Sequence, residues 1–232
     1  MIKIAILGAM KEEIEPLLSF FDNIKQTSFG NNTYYEVNYK GISIVIAYSK
    51  IGKVFSTLTA SIMIQKFKCN KLLFSGVAGG LNPNLKIGDL ILATSLCQHD
   101  IDITAFGHDY GYVPEGKKFI NSDKSLLKIA NKVSINNNIK IFEGIIATGD
   151  QFINSNEKKE FIYNTFKADA IEMEGASVAL VCDSLNIPFL ILRSISDTAN
   201  MDASFDFDSF LINSANKSAL YLMKIVEELI KN

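Results

Sequence analysis

Short apolar runs that end in glycine or polar residues constrain the fold more than any other feature of this sequence. They include IKIAILG (2–8), ISIVIAY (42–48), KLLFSGVAGG (71–80) and PFLILRSISD (188–197). Each run is long enough for a strand and far shorter than the roughly 18 apolar residues that a membrane-spanning helix needs. Apolar runs without alternation are typical of strands buried on both faces of a sheet. They predict a sheet that helices cover on both sides.

Segments with helical spacing of apolar residues lie between these runs. KVFSTLTASIMIQKF (53–67) and the C-terminal segment from residue 205 are amphipathic, whereas TYYEVNY (33–39) and ISIVIAY are predicted to form a hairpin. This alternation predicts the α/β class, as a single domain over residues 1–232 with a central mixed twisted sheet flanked by helices. The polar segment 114–140 is expected to be a surface excursion.

Composition excludes several classes of protein. A net charge of -2 provides no basic field for nucleic acid or anionic lipid. Cys69, Cys97 and Cys182 are far apart, which indicates reduced thiols rather than disulfides or a zinc site. His99 and His108 lack the neighbours of a metal site. We therefore expect a cytoplasmic protein without a membrane segment, a metal or a cofactor.

Acidic residues collect where the predicted strands end, and ligands of open α/β sheets bind beyond those ends. The residues concerned are Glu13, Asp150, Glu172, Glu174 and Asp197, together with Arg193. Arg193 is the only arginine, since 22 of the 23 basic residues are lysine. A buried guanidinium needs carboxylate or water partners, and unlike lysine it keeps its proton. Five acids beside one arginine predict a neutral, hydroxyl-bearing ligand rather than a phosphate.

Each of these signals also has an ordinary structural explanation. The glycines of SGVAGG (75–80) could form a simple tight connection, and no Walker loop is present because no Gly-Lys-Ser/Thr follows. Glu12 and Glu13 could be first-turn acids that the helix dipole favours, as could the acids of EMEG (172–175). Asp197 could cap the next segment. The order of the motifs along the chain is more informative than any one of them.

In that order, the motifs resemble those of the 5'-methylthioadenosine/S-adenosylhomocysteine nucleosidases of the purine nucleoside phosphorylase superfamily. The resemblance spans nearly the whole chain through ILGAMKEEI, SKIGKV, SGVAGGL, IGDL, HDIDITAFG, GDQFI, EMEGASVA, RSISD and FDFDSFL. Three of these motifs, SKIGKV, SGVAGG and EMEGASVA, look like the branch that also cleaves aminodeoxyfutalosine in an alternative menaquinone route. The resemblance implies a nucleoside phosphorylase-like fold and a cytoplasmic hydrolase that needs no cofactor. Its implied substrates are 5'-methylthioadenosine, S-adenosylhomocysteine, 5'-deoxyadenosine and aminodeoxyfutalosine, each cleaved to adenine and a 5-substituted ribose.

The resemblance also implies a role for individual residues. Glu13 would be the base that activates water, Asp197 the acid that protonates adenine at N7, and Arg193 a residue that helps to hold the water. The implied substrate-binding positions are Met10, Ile51, Val77, Gly79, Phe152, Ile153, Glu172, Met173, Glu174 and Phe207. Among these, Glu174 would bind the ribose hydroxyls and Phe152 would stack on adenine. In a homodimer the positions that complete the 5' pocket across the interface would be Ile103, Phe106 and Pro114.

Two points stay open at this stage. Val77 stands where many family members have a serine that contacts the water site, which leaves part of the water-holding network undefined. Two other functions are also compatible with the fold. A phosphorylase would favour several cationic donors for phosphate, whereas this chain has one arginine and places Glu13 where phosphate would approach. A non-catalytic sensor of adenosine compounds would not need both Glu13 and Asp197.

Overall fold

The computed structural model describes residues 2–198 and 203–231, and the side chains of residues 2–197 and 210–231. Within these residues, ten strands form one mixed sheet. The strands are β1 (Lys3–Gly8), β2 (Lys25–Phe29), β3 (Asn32–Tyr39), β4 (Ile42–Tyr48), β5 (Lys71–Gly80), β6 (Leu90–Gln98), β7 (Ile120–Asn121), β8 (Ile141–Thr148), β9 (Ala170–Glu172) and β10 (Phe189–Thr198). The α-helices are α1 (Lys11–Leu18), α2 (Lys53–Gln65), α3 (Lys124–Asn137), α4 (Asn156–Phe166), α5 (Gly175–Ser184) and α6 (Ala203–Lys231).

Part of the sheet closes on itself. The strand order is β10-β6-β8-β9-β5-β1-β4-β3-β2, and β10 also pairs with β5, so that the five strands from β10 to β5 form a ring. Within the open part, β1 lies parallel to β4 and also to β5, the strand that it shares with the ring, and within the ring β10 runs parallel to β5. The carboxyl ends of these parallel strands therefore meet at one edge, which is where such sheets bind ligands.

Helices cover both faces of the sheet, as the apolar runs predict. Along β1, Ala5 and Leu7 belong to one buried cluster, whereas Ile4 and Ile6 belong to another. The first cluster includes side chains of α2 and α5, and the second includes side chains of α1, α3 and α6. Both faces of the strand are therefore removed from water, which explains its lack of polar alternation.

The predicted α/β class is confirmed, and so is the hairpin, because β3 and β4 pair antiparallel. The description of residues 114–140 as a surface excursion is wrong for most of that segment. Helix α3 lies within it and buries Leu126, Ala130 and Val133 against the core. Its many Lys and Asn residues lie on its outer side, so its composition hides an amphipathic pattern. No helix among the described residues is long and apolar enough to span a membrane.

Candidate active site

A cavity of about 430 Å³ lies at the edge where the parallel strands end. Of the positions that the resemblance implies, those lining it are Met10, Glu13, Ile51, Val77, Gly79, Phe152, Glu172, Met173, Glu174 and Asp197. Four further lining residues are not among the predicted positions, namely Ala9, Ala78, Ile171 and Ser196. Residues from six separate segments thus meet in one concave site, which is the usual form of a small-molecule site.

Glu13 is held by backbone N–H groups at the start of α1. Its Oε2 accepts from the N–H of Ala9 at 2.5 Å and of Met10 at 3.1 Å, and its Oε1 accepts from the N–H of Val77 at 3.0 Å. The side chain is only 3% exposed. Burial raises the pKa of Glu13 above its usual value, although Arg193 and these N–H groups act in the opposite direction. A carboxylate with a raised pKa is a stronger proton acceptor than an ordinary one.

The glycines of SGVAGG allow two carboxyl groups to approach β5. A Cβ at Gly76 would lie 2.7 Å from Glu13 Oε1, and a Cβ at Gly79 would lie 2.9 Å from Asp197 Oδ2. The sequence predicts a turn here, but both residues remain within the strand. The two glycines therefore let the carboxyl groups come close to β5, and they do not form a turn.

Arg193 lies behind the cavity wall and binds Glu172. Its Nη2 donates to Glu172 Oε2 at 2.7 Å, and its guanidinium carbon lies 4.0 Å from the ring centroid of Phe74. Thr148 donates its hydroxyl to Glu172 Oε1 at 2.5 Å, and the N–H of Gly175 donates to both oxygens of that carboxylate. The buried guanidinium therefore has the carboxylate partner that the sequence analysis requires.

Glu174 lies at the start of α5 with little access to water. Its Oε1 accepts from the N–H of Gly52 at 2.8 Å. Burial, followed by the negative charge of Glu172, raises the pKa of Glu174 to about 8. The carboxyl group is thus able to change its protonation state near neutral pH.

Asp197 is 4% exposed near the end of β10. The Ser196 hydroxyl donates to its Oδ1 at 3.0 Å, and the ammonium of Lys159 lies 4.0 Å from its Oδ2. Lys159 is itself 2% exposed and belongs to α4, a helix that the sequence analysis did not predict. No local pattern in the sequence distinguishes it from the other lysines of that helix.

Among the described side chains, the remaining predicted positions do not line the cavity of this chain. Ile153 is buried in a small apolar cluster with Phe166. Phe106 is 81% exposed, and neither it nor Ile103 or Pro114 belongs to the cavity wall of the single chain. The side chain of Phe207 lies outside the described residues.

Comparison with known proteins identifies the family. The sequence model described as the phosphorylase superfamily matches residues 3–231. The chain belongs to the phosphorylase superfamily. Among the described residues, no group of three or more His, Cys, Asp or Glu side chains in this superfamily member is placed to hold a metal ion.

Within the superfamily, the chain is similar to several nucleosidases. The Campylobacter jejuni aminodeoxyfutalosine nucleosidase is 56% identical over 229 residues, which cover 99% of this chain and 100% of that protein. The Buchnera aphidicola 5'-methylthioadenosine/S-adenosylhomocysteine nucleosidase is 37% identical over 99% of this chain and 92% of its own length. A crystal structure of a Helicobacter pylori nucleosidase mutant with 5'-methylthioadenosine in the active site aligns with a TM-score of 0.96 at 49% identity, covering 98% and 99% of the two chains. The predicted relationship to this family of nucleosidases is confirmed.

Proposed function

We propose that the protein hydrolyses the N-glycosidic bond of 5'-substituted adenosines, releasing adenine and the 5-substituted ribose. The proposed substrates are aminodeoxyfutalosine, 5'-methylthioadenosine, S-adenosylhomocysteine and 5'-deoxyadenosine. The observation that carries the proposal is the presence of two buried carboxyl groups, Glu13 and Asp197, in one cavity with an otherwise largely apolar wall. Hydrolysis of a glycosidic bond needs an acid on the leaving-group side and a base on the side of the attacking water.

Asp197 is the proposed acid, and Glu13 is the proposed base. Asp197 protonates N7 so that adenine leaves as a neutral base, while Glu13 takes a proton from the attacking water. The two carboxyl groups contact β5 at Gly79 and Gly76, three residues apart, which corresponds to roughly 10 Å along a strand. Both groups therefore line the cavity at separate points, as an acid and a base on either side of a scissile bond require.

The cavity offers a partner for each other part of the nucleoside. Glu174 is the proposed partner of the ribose hydroxyls, since Gly52 binds one of its oxygens and the residue lines the cavity. Hydrogen bonds from those hydroxyls strengthen as positive charge develops on the sugar, which favours the transition state over the ground state. The half-exposed ring of Phe152 is placed to stack on adenine, and Met10 and Ile51 provide apolar contact for the 5' group.

Arg193 and Val77 define the proposed water site. The positive charge of Arg193 opposes the rise in the pKa of Glu13 that burial causes, and so favours the ionised form of that carboxyl group. Val77 cannot replace the hydroxyl of a serine, but its N–H fixes Glu13 Oε1. We expect Glu13 to orient the water and Arg193 to stabilise the negative charge of the nearby carboxylates, Glu13 and Glu172.

A homodimer completes the proposed site. The first turns of α2 present Val54, Phe55 and Leu58, which are 77%, 45% and 48% exposed. Ile51, three residues before Val54, is exposed and also lines the cavity, and Leu180 is exposed on α5, a helix in contact with α2. Exposed apolar surface of this kind is typical of an interface. We expect Ile103, Phe106 and Pro114 of one copy to cover the 5' end of the cavity in the other.

The test is steady-state release of adenine from 5'-methylthioadenosine and from aminodeoxyfutalosine, each with and without phosphate. Release of adenine and a free reducing sugar at equal rates in both buffers is the expected result. Release that requires phosphate and yields a sugar 1-phosphate would instead indicate a phosphorylase. Binding without turnover would indicate a sensor.

A further inference from the structure

Three residues outside the proposed catalytic set, Lys53, Asp100 and Asp150, form a closed ring of hydrogen bonds through their side chains and the backbone N–H groups of Lys53 and Asp150. Lys53 Nζ donates to Asp100 Oδ1 at 2.7 Å. Asp100 Oδ2 accepts from the backbone N–H of Asp150 at 2.9 Å, and Asp150 Oδ1 accepts from the backbone N–H of Lys53 at 2.7 Å. The ring thus joins the start of α2 to the segments that follow β6 and β8.

Two of the three side chains in the ring are largely shielded from solvent, whereas Asp150 is exposed. The side chains of Lys53 and Asp100 are only 17% and 14% exposed, and Lys53 also donates to Gln98 Oε1 at 3.2 Å. Burial acts to raise the pKa of Asp100, but the hydrogen bonds from Lys53 and Asp150 outweigh it and hold that pKa below its usual value. A shielded, fully hydrogen-bonded pair keeps its geometry far better than an exposed one.

On one side, the ring fixes the turn that binds Glu174. Gly52 directly precedes Lys53 and donates its N–H to Glu174 Oε1 at 2.8 Å. Gly52 has a φ of +100°, and a Cβ there would lie 3.0 Å from Asp150 Oδ1. The direction of the Gly52 N–H therefore depends on the contact between Asp150 and the backbone of Lys53.

On the other side, the ring fixes the start of the segment that carries Phe152. Asp150, two residues before Phe152, is held through both its backbone N–H and its carboxylate. Neighbouring backbone contacts support this placement, because the N–H of Gly149 donates to the carbonyl of Glu172. The ring of Lys53, Asp100 and Asp150 thus connects the part of the cavity wall at Glu174 with the part at Phe152.

We propose that Lys53, Asp100 and Asp150 are positioning residues that set the orientation of Glu174 towards the ribose hydroxyls and, to a smaller extent, of Phe152 towards the base. The inference rests on the proposed function, in which those two residues contact the nucleoside. A displacement of about 1 Å in a binding group is enough to cost up to a hundredfold in rate.

The decisive variant is Lys53→Met, which removes the ammonium and keeps most of the aliphatic stem. The probes are a 7-deaza analogue of 5'-methylthioadenosine, which cannot be protonated at position 7, and its 2',3'-dideoxy form. We expect Lys53→Met to weaken binding of the ribose analogue by about tenfold and of the dideoxy form by less than about threefold, because the Glu174 contact is already missing there. Calorimetry gives both dissociation constants, and kcat/KM with 5'-methylthioadenosine should fall by at least about tenfold.

Two further variants complete the design. Lys117→Met breaks an ion pair with Asp183 of the same 2.7 Å length on the surface of α5, and it should leave binding and turnover unchanged. Asp100→Asn keeps the shape of the ring while removing its negative charge, so it provides a second reading if Lys53→Met does not fold. We expect Asp100→Asn also to weaken binding of the ribose analogue more than binding of the dideoxy form, with a smaller difference than for Lys53→Met.

The possible outcomes separate the inference from the function on which it rests. Equal weakening of both analogues, or none, would overturn the positioning role while phosphate-independent hydrolysis by the wild-type protein still stood. A wild-type protein that releases no adenine from any of the four substrates would overturn the proposed function and this inference with it.

Discussion

The guanidinium of Arg193 and the carboxylate of Glu172 form an ion pair of 2.7 Å, and their side chains are 1% and 3% exposed. The planar group lies at the same time against the ring of Phe74. A lysine could reach one carboxylate oxygen, but it could not stack on the ring or donate in several directions from one plane. This pair explains why a chain that uses lysine elsewhere has an arginine here.

We predict that Arg193→Lys retains the fold but lowers turnover at least about tenfold, which corresponds to about 1.4 kcal/mol in the activation barrier. The reason is that lysine replaces a planar cation, which is fixed by Glu172 and Phe74, with a point charge on a flexible stem that can lose its proton when buried. Steady-state kinetics together with a thermal melting curve test this. Turnover close to that of the wild type, with normal melting, would show that the guanidinium has no special function.

Thr148→Val should destabilise the protein and lower its activity. The hydroxyl donates to Glu172 Oε1 and accepts from the N–H of Ala176. Valine leaves that buried N–H without its partner and removes one of the two hydrogen bonds to Glu172 Oε1, while the bond from Gly175 remains. The expected loss is about 1–3 kcal/mol in the free energy of unfolding, measured by urea denaturation. The control is Thr94→Val in β6, where one hydroxyl contact to Gly144 is lost away from the cavity. Equal effects of the two substitutions would contradict the prediction.

Glu174 should make stability depend on pH. Its folded-state pKa of about 8 lies above the ordinary value of 4.5, so the folded protein binds a proton that the unfolded chain has released. The raised pKa of Glu174 therefore stabilises the folded protein. This stabilisation is complete below pH 4.5 and is lost as the pH rises towards 8. Relative to Glu174→Gln, the wild type should therefore lose at least about 1 kcal/mol between pH 5 and pH 8. Urea denaturation at several pH values measures this, and a constant difference would refute it.

Alanine at Gly76 or Gly79 should impair turnover more than alanine at Gly80. The first two Cβ atoms would meet carboxylate oxygens of Glu13 and Asp197 at 2.7 and 2.9 Å, whereas a Cβ at Gly80 would meet its nearest atom at 3.3 Å. We expect kcat to fall at least about tenfold in the first two variants and by less than about threefold in the third. A similar loss in all three would indicate a general effect of glycine replacement in β5.

The sequence predicts the parts of the site that depend on strand ends. Glu13 and Asp197 each stand where an apolar run stops, and parallel pairing alone brings those positions together.

Closure of the ring by pairing β10 with both β5 and β6 leaves no such local signal, because it joins segments far apart in the chain. The same holds for Lys53 and Asp100, which are 47 residues apart and meet only through the fold. Helix α4 is missed because its charged residues obscure the burial of Ile162 and Phe166.

The most direct test of the assignment of acid and base uses a substrate whose leaving group needs no proton. The comparison is between 5'-methylthioadenosine and the 4-nitrophenyl riboside that carries the same 5' methylthio group, with Asp197→Asn and Glu13→Gln. Asp197→Asn should lose on the order of a thousandfold in kcat/KM on the nucleoside and little on the nitrophenyl compound, whereas Glu13→Gln should lose comparably on both. An Asp197→Asn variant that loses equally on the two substrates would contradict the role of Asp197 as the acid that protonates adenine.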